Sequence, residues 1–538
     1  MKKLVSRFMA VLMAMTMILS MSMTAFAAEA SKGTLTVNNT VAEKTLDLYQ
    51  IFTATKNGDN VAYTLNSSYE GFFKNNTRIP GSESLTGEAL SEKAYEYVKT
   101  QVGEDGKNGT GFAKEILGWI LANADTVAAT HTIVTTTANT TVIRDLAYGY
   151  YVVYPLGATD TSAAPGEQDY TSVASLVSVT GDTSINMKSN YPTVVKKVND
   201  KTADDVNIGD TVTYTLTSKV PDMTGYTSYV FNFKDTLSAG LTFKEITSVT
   251  VGETTITKVD AGQEANDTYT LTQTGQNITI TMNNFLASNA NKVGQEIKVT
   301  YTVTLNKDAV TGFDANKNSA TVEYSNKPGT DNKGESEPSI VDVHTFNFTI
   351  FKYYLKGADK TGLANAEFEL YKANEAGDAA DENAKINIVD EGKGVYRQAT
   401  ADEAKVTGFT SAKIVSDDDG KVLVKGLDAG SYYLRETKAP EGYNKLLSDI
   451  KIEIKPVYDE TTGKLTSYSV DYTYNGTKTT GTAITSKDNS PEVAVENKTG
   501  AQLPSTGSKG ALMVTLAGIV LFGALTASKA FGKKKAKN

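Results

Sequence analysis

The sequence predicts an all-β protein made of tandem antiparallel β-sandwich domains, the first of which carries a helical insertion. Inward-facing residues alternate in short runs, as in Val212, Tyr214 and Leu216, in Ile278 to Met282 and in Ile297 to Leu305. A period of two residues is that of a strand with one buried face. Gly, Asn and Asp turns separate these runs, which is typical of antiparallel sandwiches.

The segment from Thr86 to Asn123 departs from this pattern and is predicted to be helical. Its apolar residues lie three or four positions apart in two runs, which are Leu90, Ala94, Tyr97 and Val98, then Phe112, Ile116 and Ile120. Such spacing places the residues on one face of a helix that packs against a core. We therefore expect a helical insertion in the first sandwich.

Residues 1–27 are predicted to be an export signal. Lys2, Lys3 and Arg7 precede an apolar run from Met9 to Met23, and Ala25-Phe26-Ala27 supplies the small residues that a signal peptidase needs. An N-terminal membrane anchor is the alternative, and the short apolar run and the cleavage site disfavour it. The mature chain is expected to begin at Ala28.

The other end of the chain combines three features in a fixed order. Leu503-Pro504-Ser505-Thr506-Gly507 comes first, an uncharged apolar stretch long enough to span a bilayer follows at 510–527, and residues 528–538 form a basic tail. This arrangement resembles the cell-wall sorting signal of sortase substrates. The resemblance implies that a cysteine transpeptidase recognises Leu503 and Pro504, cuts between Thr506 and Gly507 and passes the Thr506 carbonyl to an amine. The alternative is an ordinary membrane anchor behind a chance pentapeptide.

Charge and composition exclude several functions. Removing the nine basic residues of the two ends leaves 44 of the 53 Lys and Arg against 62 Asp and Glu, so the mature part has a net charge near −18. Such an acidic exterior argues against a nucleic-acid partner. With no Cys and only two His, the chain has no thiol chemistry, and we expect neither a His-based metal site nor a cofactor.

The 479 residues from Ala28 to Thr506 are enough for about three domains. We place them at 28–187, 188–343 and 344–500, where one strand pattern ends and a new strand bearing Lys begins. They are called domain one, domain two and domain three below.

Domain three places an amine, a carboxyl and a carboxamide on buried faces. Phe346, Phe348 and Ile350 alternate inward and Lys352 follows in phase, Val493 and Val495 lead in the same way to Asn497, and Glu436 is in phase with Tyr432 and Leu434. Burial favours a neutral Lys and a neutral carboxylic acid. The free amine can then attack the Asn carbonyl, polarised by the acid, to form an isopeptide bond with loss of ammonia. The reaction is single-turnover, so the chain is not predicted to be an enzyme.

These residues resemble the collagen-adhesin B-type (CnaB) domain of Gram-positive surface proteins, an immunoglobulin-like sandwich. The segment from Tyr432 to Tyr443 is similar to that family's E-box, and Leu363 to Leu370 to its early signature. The resemblance implies that Lys352 and Asn497 form the bond and that Glu436 is the catalytic acid.

Domain two repeats the pattern with different spacing. The run from Phe233 to Phe243 resembles the D2 domain of pilins, an A-type (CnaA-like) relative that uses Asp. The resemblance implies a bond between Lys196 and Asn318 with Asp235 as catalyst. The alternation favours Lys196 over Lys197, and a β-bulge would reverse that choice. For both domains the alternative is a set of exposed residues with no bond.

Two further segments are predicted to carry no site. Aligning Gly149 with Gly430 puts Pro155 opposite Glu436, so no cross-link is expected in domain one. The Asp417-Asp418-Asp419-Gly420 cluster could touch a cation, and a hairpin turn is the favoured interpretation.

As a whole the chain resembles the major (backbone) pilins that sortase assembles. This implies a cell-wall-anchored, extracellular shaft subunit in a head-to-tail polymer, with a transient membrane anchor before sorting. The implied partners are a pilus sortase, with a housekeeping sortase as a second candidate, and ancillary pilins and peptidoglycan. Lys188, eight residues before Lys196, is the expected acceptor, with a neighbouring Lys as the alternative. A non-polymerised adhesin, an ancillary pilin and an exported enzyme are the other functions considered.

Overall fold

The computed structural model describes residues 31–103, 109–136, 139–158, 174–187 and 190–500. The predicted export signal, Lys188, the sorting motif, the apolar segment and the basic tail lie outside these ranges. In the part that is described, no helix is both long enough and apolar enough to cross a membrane.

The chain forms two compact units. The first contains the described residues up to Val310 together with Asp314–Thr345 and Tyr458–Leu465, and the second contains Thr311–Phe313, Phe346–Val457 and the described residues from Thr466. The division into three domains at the boundaries given above stays a prediction.

The first unit begins with two sheets and three helices. The elements are β1 Lys32–Asn38, β2 Thr45–Asn57, β3 Asn60–Leu65, α1 Glu70–Phe73, α2 Gly87–Val102, α3 Gly109–Ala122, β4 His131–Val134, β5 Thr140–Ala147, β6 Gly149–Pro155, β7 Ser175–Val179 and β8 Thr183–Asn186, with 3-10 turns at Ser67–Tyr69 and Ser82–Ser84. The strand order is β5-β1-β8 in one sheet and β3-β2-β6-β7 in the other, with β4 beside β2.

Helices α2 and α3 confirm the predicted helical insertion. Leu90, Ala94 and Val98 of α2 are buried, as are Phe112, Ile116 and Ile120 of α3. They join one hydrophobic cluster with Phe52, Phe72 and Phe73. The helices therefore cover one face of the sheet that contains β2 and β6.

The rest of the first unit is a sandwich of two larger sheets. One has the order β10-β21-β19-β12-β17-β16-β15 with β20 beside β19, and the other β14-β13-β18-β11-β9. The elements are β9 Val195–Val198, β10 Ala203–Asp205, β11 Thr211–Lys219, β12 Phe231–Leu237, β13 Leu241–Val251, β14 Thr254–Thr255, β15 Thr257–Lys258, β16 Thr268–Thr274, β17 Asn277–Met282, α4 Phe285–Asn289, β18 Glu296–Leu305, β19 Asn316–Ser325, β20 Lys333–Glu335 and β21 Ser339–His344.

The predicted alternation fills the core between these two sheets. Val212, Tyr214 and Leu216 on β11 are fully buried, and so are the five inward residues of β18 from Ile297 to Leu305. The polar residues between them lie on the outer face. Any polar side chain in phase with this pattern must therefore lie in the core.

The second unit is also a two-sheet sandwich. One sheet has the order β23-β22-β29-β27-β26 with β34 beside β22, and the other β25-β24-β30-β31-β32-β33 with β28 beside β24. Strand β34 runs parallel to β22 and pairs Val495 with Lys352. The elements are β22 Phe346–Lys356, β23 Asp359–Gly362, β24 Glu367–Ala373, β25 Ala380–Lys385, β26 Ile388–Gly392, β27 Val395–Gln398, α5 Ala401–Ala404, β28 Ile414–Val415, β29 Lys421–Leu427, β30 Gly430–Lys438, β31 Ile450–Tyr458, β32 Leu465–Tyr474, β33 Thr477–Thr479 and β34 Glu492–Glu496.

The fold class predicted from the sequence is therefore confirmed. The described residues form paired, mostly antiparallel sheets in succession, with helices concentrated in the first part of the chain.

Candidate functional site

Two lysines stand apart from all others in the described ranges because only they are buried. Lys196 is 2% exposed and Lys352 is 0% exposed. An isolated ammonium in a protein core is costly, so a buried lysine needs a partner or loses its proton. Each of the two lies beside a buried acid and a buried asparagine, at the positions that the sequence predicts.

In domain two the three strands that carry these groups come from both sheets of the sandwich. Lys196 lies on β9 and pairs with Leu216 of β11, whereas Asp235 lies on β12 and pairs with Ala320 of β19. Asn318 is two residues before Ala320 and points into the same core. Lys197, the alternative, is exposed on the outer face of β9. The structure thus brings Lys196, Asp235 and Asn318 together from opposing sheets.

These groups are joined by a tyrosine that the sequence analysis did not single out as functional. The Lys196 Nζ contacts Asp235 Oδ2 and lies 2.6 Å from the Tyr301 hydroxyl. That hydroxyl donates to Asp235 Oδ2 at 2.6 Å and accepts from Asn318 Nδ2 at 3.0 Å. Tyr301 belongs to the inward-facing run of β18, so the alternation predicts that it is buried. The alternation does not predict that its hydroxyl is a polar partner of the other three groups.

Burial lowers the pKa of Lys196 to about 8, although the neighbouring Asp235 partly opposes this effect. Lys196 Nζ also lies over the rings of Tyr214 and Tyr301, at 5.0 and 5.3 Å from their centroids. A neutral amine carries the lone pair that a nucleophile needs. Near neutral pH a useful fraction of Lys196 is therefore in its reactive form.

In domain three the reacting groups lie on adjacent strands and the acid comes from the facing sheet. Lys352 is on β22, and Asn497 follows β34 and donates its backbone N–H to the Tyr353 carbonyl at 2.9 Å. Glu436 is on β30 in the other sheet. All three side chains are buried, with Glu436 and Asn497 each 2% exposed.

The Glu436 carboxyl bridges the amine and the amide. Its Oε1 lies 3.0 Å from Lys352 Nζ, and its Oε2 accepts from Asn497 Nδ2 at 3.2 Å and from the Leu446 N–H at 2.7 Å. Asn497 Nδ2 also donates to the Asn444 carbonyl at 2.6 Å. Burial lowers the pKa of Lys352 to about 8, partly opposed by Glu436.

One feature of this geometry differs from the expectation. The sequence predicts that the acid polarises the Asn carbonyl, whereas Glu436 contacts the amide nitrogen, and Asn497 Oδ1 has no hydrogen-bond partner among the described groups. The reason is that two acceptors, Glu436 Oε2 and the Asn444 carbonyl, take the two amide N–H groups. The contact favours proton transfer to the departing nitrogen.

A third set of the same residue types provides an internal comparison. Glu323 accepts from Lys234 Nζ at 2.6 Å and from Asn232 Nδ2 at 2.9 Å, so one carboxylate again bridges an amine and an amide. The Lys234 side chain is 36% exposed, and its hydrogen bond to Glu323 raises its pKa. This amine stays protonated and cannot attack, so burial distinguishes the two candidate sites from this set.

The other segments considered from the sequence bring no reactive group together. In domain one Pro155 pairs with Leu46 on β2, and the buried Asp47 is bound by Thr132 and Tyr49 rather than by a lysine. Asp417 Oδ1 accepts from the N–H groups of Asp419 and Lys421, as in a hairpin turn. Within the described ranges no group of three or more His, Cys, Asp or Glu residues is placed to hold a metal ion.

Two family models match segments that contain part of each cluster. Residues 208–328 match the Gram-positive pilin backbone subunit 2, Cna-B-like domain, and residues 353–469 match a prealbumin-like fold domain. By this match, domain two is of the kind found in Gram-positive pilin backbone subunits. The matching description for domain two is Cna-B-like, so the CnaA-like relationship inferred from its aspartate stays a prediction.

Two relatives of this chain are named as surface or fimbrial proteins. The trypsin-resistant surface T6 protein of Streptococcus pyogenes serotype M6 is 27% identical over 349 residues, covering 58% of this chain and 53% of that protein. Fimbrial subunit type 2 of Actinomyces naeslundii is 29% identical over 279 residues, covering 49% of this chain and 50% of that protein. The alignments span about half the length of these relatives.

Among solved structures, the T6 backbone pilin of Streptococcus pyogenes serotype M6 is similar in part. It is 16% identical, with a TM-score of 0.46, and the match covers 88% of this chain and 100% of that one.

The lowered pKa of Lys196 predicts how a form of this protein without the predicted Lys196–Asn318 bond responds to pH. In Asn318→Ala the amine stays free, with a pKa of about 8 when folded and the ordinary 10.5 when unfolded. Between these values the unfolded chain binds more protons, so the free energy of unfolding should rise with pH, by up to about 3 kcal/mol. Urea denaturation at several pH values measures this rise. Lys196→Met combined with Asn318→Ala should lose it, and an equal rise in both variants would contradict the assignment.

Proposed function

We propose that this protein is the structural shaft subunit of a covalently polymerised, cell-wall-anchored pilus. Sortase joins Thr506 of one subunit to a lysine of the next, and intramolecular bonds from Lys196 to Asn318 and from Lys352 to Asn497 reinforce each subunit. Its partners are identical subunits, ancillary pilins, sortase and peptidoglycan. The protein acts outside the cell after a transient stay in the membrane.

One observation carries the intramolecular part of this proposal. The only two buried lysines in the described ranges each contact a buried acid whose neighbour is a buried asparagine. Ordinary core packing does not require an amine at all, and a lone amine there is destabilising. Two repeats of so costly an arrangement, in domains of pilin type, favour a chemical purpose.

The reaction in domain three follows from the contacts of Glu436. The lone pair of Lys352 Nζ attacks Asn497 Cγ, and Glu436 Oε1, 3.0 Å from the amine, takes one of its protons. As the tetrahedral intermediate forms, the amide nitrogen becomes basic and receives a proton from the same carboxyl through Oε2. The Cγ–Nδ2 bond then breaks, ammonia leaves and the Nζ–Cγ amide remains. One carboxyl thus serves as both general base and general acid.

The proposed bonds connect different parts of the two sandwiches. The bond in domain two links β9 to β19 and so joins the two facing sheets. The bond in domain three links β22 to the end of β34, which are parallel neighbours in one sheet. Each bond ties a strand near the start of its domain to one near its end, a useful property for a chain under tension.

Intact-mass spectrometry tests the intramolecular bonds. The purified protein should be two ammonia molecules lighter than its sequence mass, and tryptic digestion should yield joined peptides containing Lys196 with Asn318 and Lys352 with Asn497. A protein with its full sequence mass would refute both bonds. Asn232→Ala serves as the matched control, because its amide contacts the Glu323 carboxylate, whose lysine partner Lys234 is partly exposed and protonated, and it should leave the deficit unchanged.

The polymer is tested separately on the cell surface. The sequence supports a sorting signal at residues 503–507, and the relatives are named as fimbrial or surface proteins. Cell-wall extracts should give a ladder of multimers that resists SDS, and Thr506→Ala should remove it. A single anchored band in the native strain would instead indicate a non-polymerised adhesin or an ancillary pilin.

A further inference from the structure

We propose that Tyr301 is a fourth member of the domain two site and transfers the proton that releases ammonia from Asn318. This inference rests on the proposed bond between Lys196 and Asn318. It assigns a catalytic role to the Tyr301 hydroxyl, which touches both nitrogen atoms of the reaction.

The difference between the two acids motivates this role. Glu436 reaches both partners by itself, one oxygen lying against Lys352 and the other against Asn497. Asp235 is one methylene shorter, and its Oδ2 receives Lys196 and Tyr301 while its Oδ1 makes no hydrogen bond with a described group. Asn318 Nδ2 donates to Tyr301 and not to Asp235. The hydroxyl therefore occupies the link that the longer Glu436 makes directly.

The aromatic neighbours of the two lysines agree with this interpretation. Lys352 Nζ lies 5.7 Å from the ring of Phe368, which has no hydroxyl, whereas Lys196 lies beside Tyr301. Where the acid spans the site alone, the aromatic side chain is purely apolar. Where it does not, the aromatic side chain carries a proton donor.

Burial also keeps the Tyr301 hydroxyl protonated. Tyr301 is 1% exposed, and its burial together with the nearby Asp235 raises its pKa well above the ordinary value. A protonated phenol that already donates to Asp235 can exchange one proton for another without leaving a charge on its own oxygen.

The proposed reaction passes one proton from Lys196 to the departing nitrogen of Asn318 by way of Asp235 and Tyr301. Lys196 Nζ attacks Asn318 Cγ and gives one proton to Asp235. Tyr301 passes its proton to Asn318 Nδ2 as that nitrogen becomes basic, and Asp235 returns a proton to the Tyr301 oxygen. The Cγ–Nδ2 bond breaks, ammonia departs, and Asp235 and Tyr301 regain their initial states. The product is the Nζ–Cγ amide.

Tyr301→Phe in the full-length chain tests this role. General acid–base groups contribute about 10²–10⁴-fold to rate, so the Lys196–Asn318 link should form at least about 100-fold more slowly in pulse-chase samples analysed by peptide mapping. The Lys352–Asn497 link of the same molecules should form at the wild-type rate and serves as the internal control. Tyr229→Phe removes another buried hydroxyl from the same core and should leave both links unchanged.

A second variant covers the case in which Tyr301→Phe does not fold. A fluorinated tyrosine at position 301 keeps the ring and the hydroxyl and makes the hydroxyl more acidic, so the rate of the domain two link and its pH profile should shift. An unchanged rate in this variant, or a wild-type rate in folded Tyr301→Phe, would overturn the role of Tyr301. Absence of the link from the wild-type protein would instead overturn the proposed bond itself.

Discussion

Replacing Glu436 by Ala should leave domain three folded, without the bond between Lys352 and Asn497, and markedly less stable. The proposed bond would close a loop of about 145 residues. By analogy with a disulfide of that span, closing such a loop stabilises the folded state by about 4–5 kcal/mol in the chain-entropy treatment. The visible consequences should be a lower melting temperature, faster proteolysis of domain three and a mass deficit of one ammonia instead of two.

Two companion variants separate the bond from the packing of Glu436. Glu436→Gln keeps the shape of the side chain and cannot exchange protons in the same way, and Asn497→Ala removes the carbonyl that is attacked. Both should lose the bond and a similar amount of stability. Glu492→Ala changes an exposed carboxylate on β34, the strand that Asn497 follows. This variant should keep both the bond and the stability. An unchanged melting curve with an intact bond in Glu436→Ala would show that Glu436 is not the catalyst.

Strand alternation and the family resemblance were together enough to predict most of the fold and the Lys, acid and Asn members of both clusters. A residue in phase with fully buried neighbours has to be buried, which is why Lys196 was favoured over Lys197 and why Lys352 was placed in the core before any contact was known. The structure has Lys196 buried and Lys197 exposed. The helical insertion was also predictable from the spacing of its apolar residues, because that spacing has a period of 3.6 residues rather than two.

What alternation does not provide is the chemistry between sheets. Tyr301 is in phase with Val299 and Val303 and so has the pattern of an ordinary core residue, yet its hydroxyl contacts Lys196 across 105 positions of sequence. The Asn444 carbonyl is a backbone group in a loop, and no side-chain pattern predicts its hydrogen bond to Asn497. Likewise, Lys234, Glu323 and Asn232 have the same residue types as a reactive set. Only the exposure of Lys234 in the structure distinguishes them from one.

The largest effect expected on the polymer is that of Lys188→Ala, which should abolish the ladder of multimers and leave an anchored monomer. In the proposed sortase reaction, the thioacyl intermediate at Thr506 is resolved by an amine that can enter the active site of another protein. Lys196 and Lys352 are buried and assigned to internal bonds, so neither can serve. Lys188 lies outside the described residues, and its assignment rests on its sequence position ahead of Lys196.

The matched control is Lys197→Ala, which removes an exposed amine nine residues further along the chain. With Lys188 as acceptor, the covalent path of a fibre runs from Thr506 of one subunit into Lys188 of the next and reaches Lys196 after eight residues. Residues before Lys188 are off this path, which agrees with the absence of a buried lysine from the described part of domain one. Lys197→Ala should therefore keep the ladder and both internal links. If the ladder survives in Lys188→Ala and disappears in Lys197→Ala, the acceptor is Lys197 and the shaft function still stands.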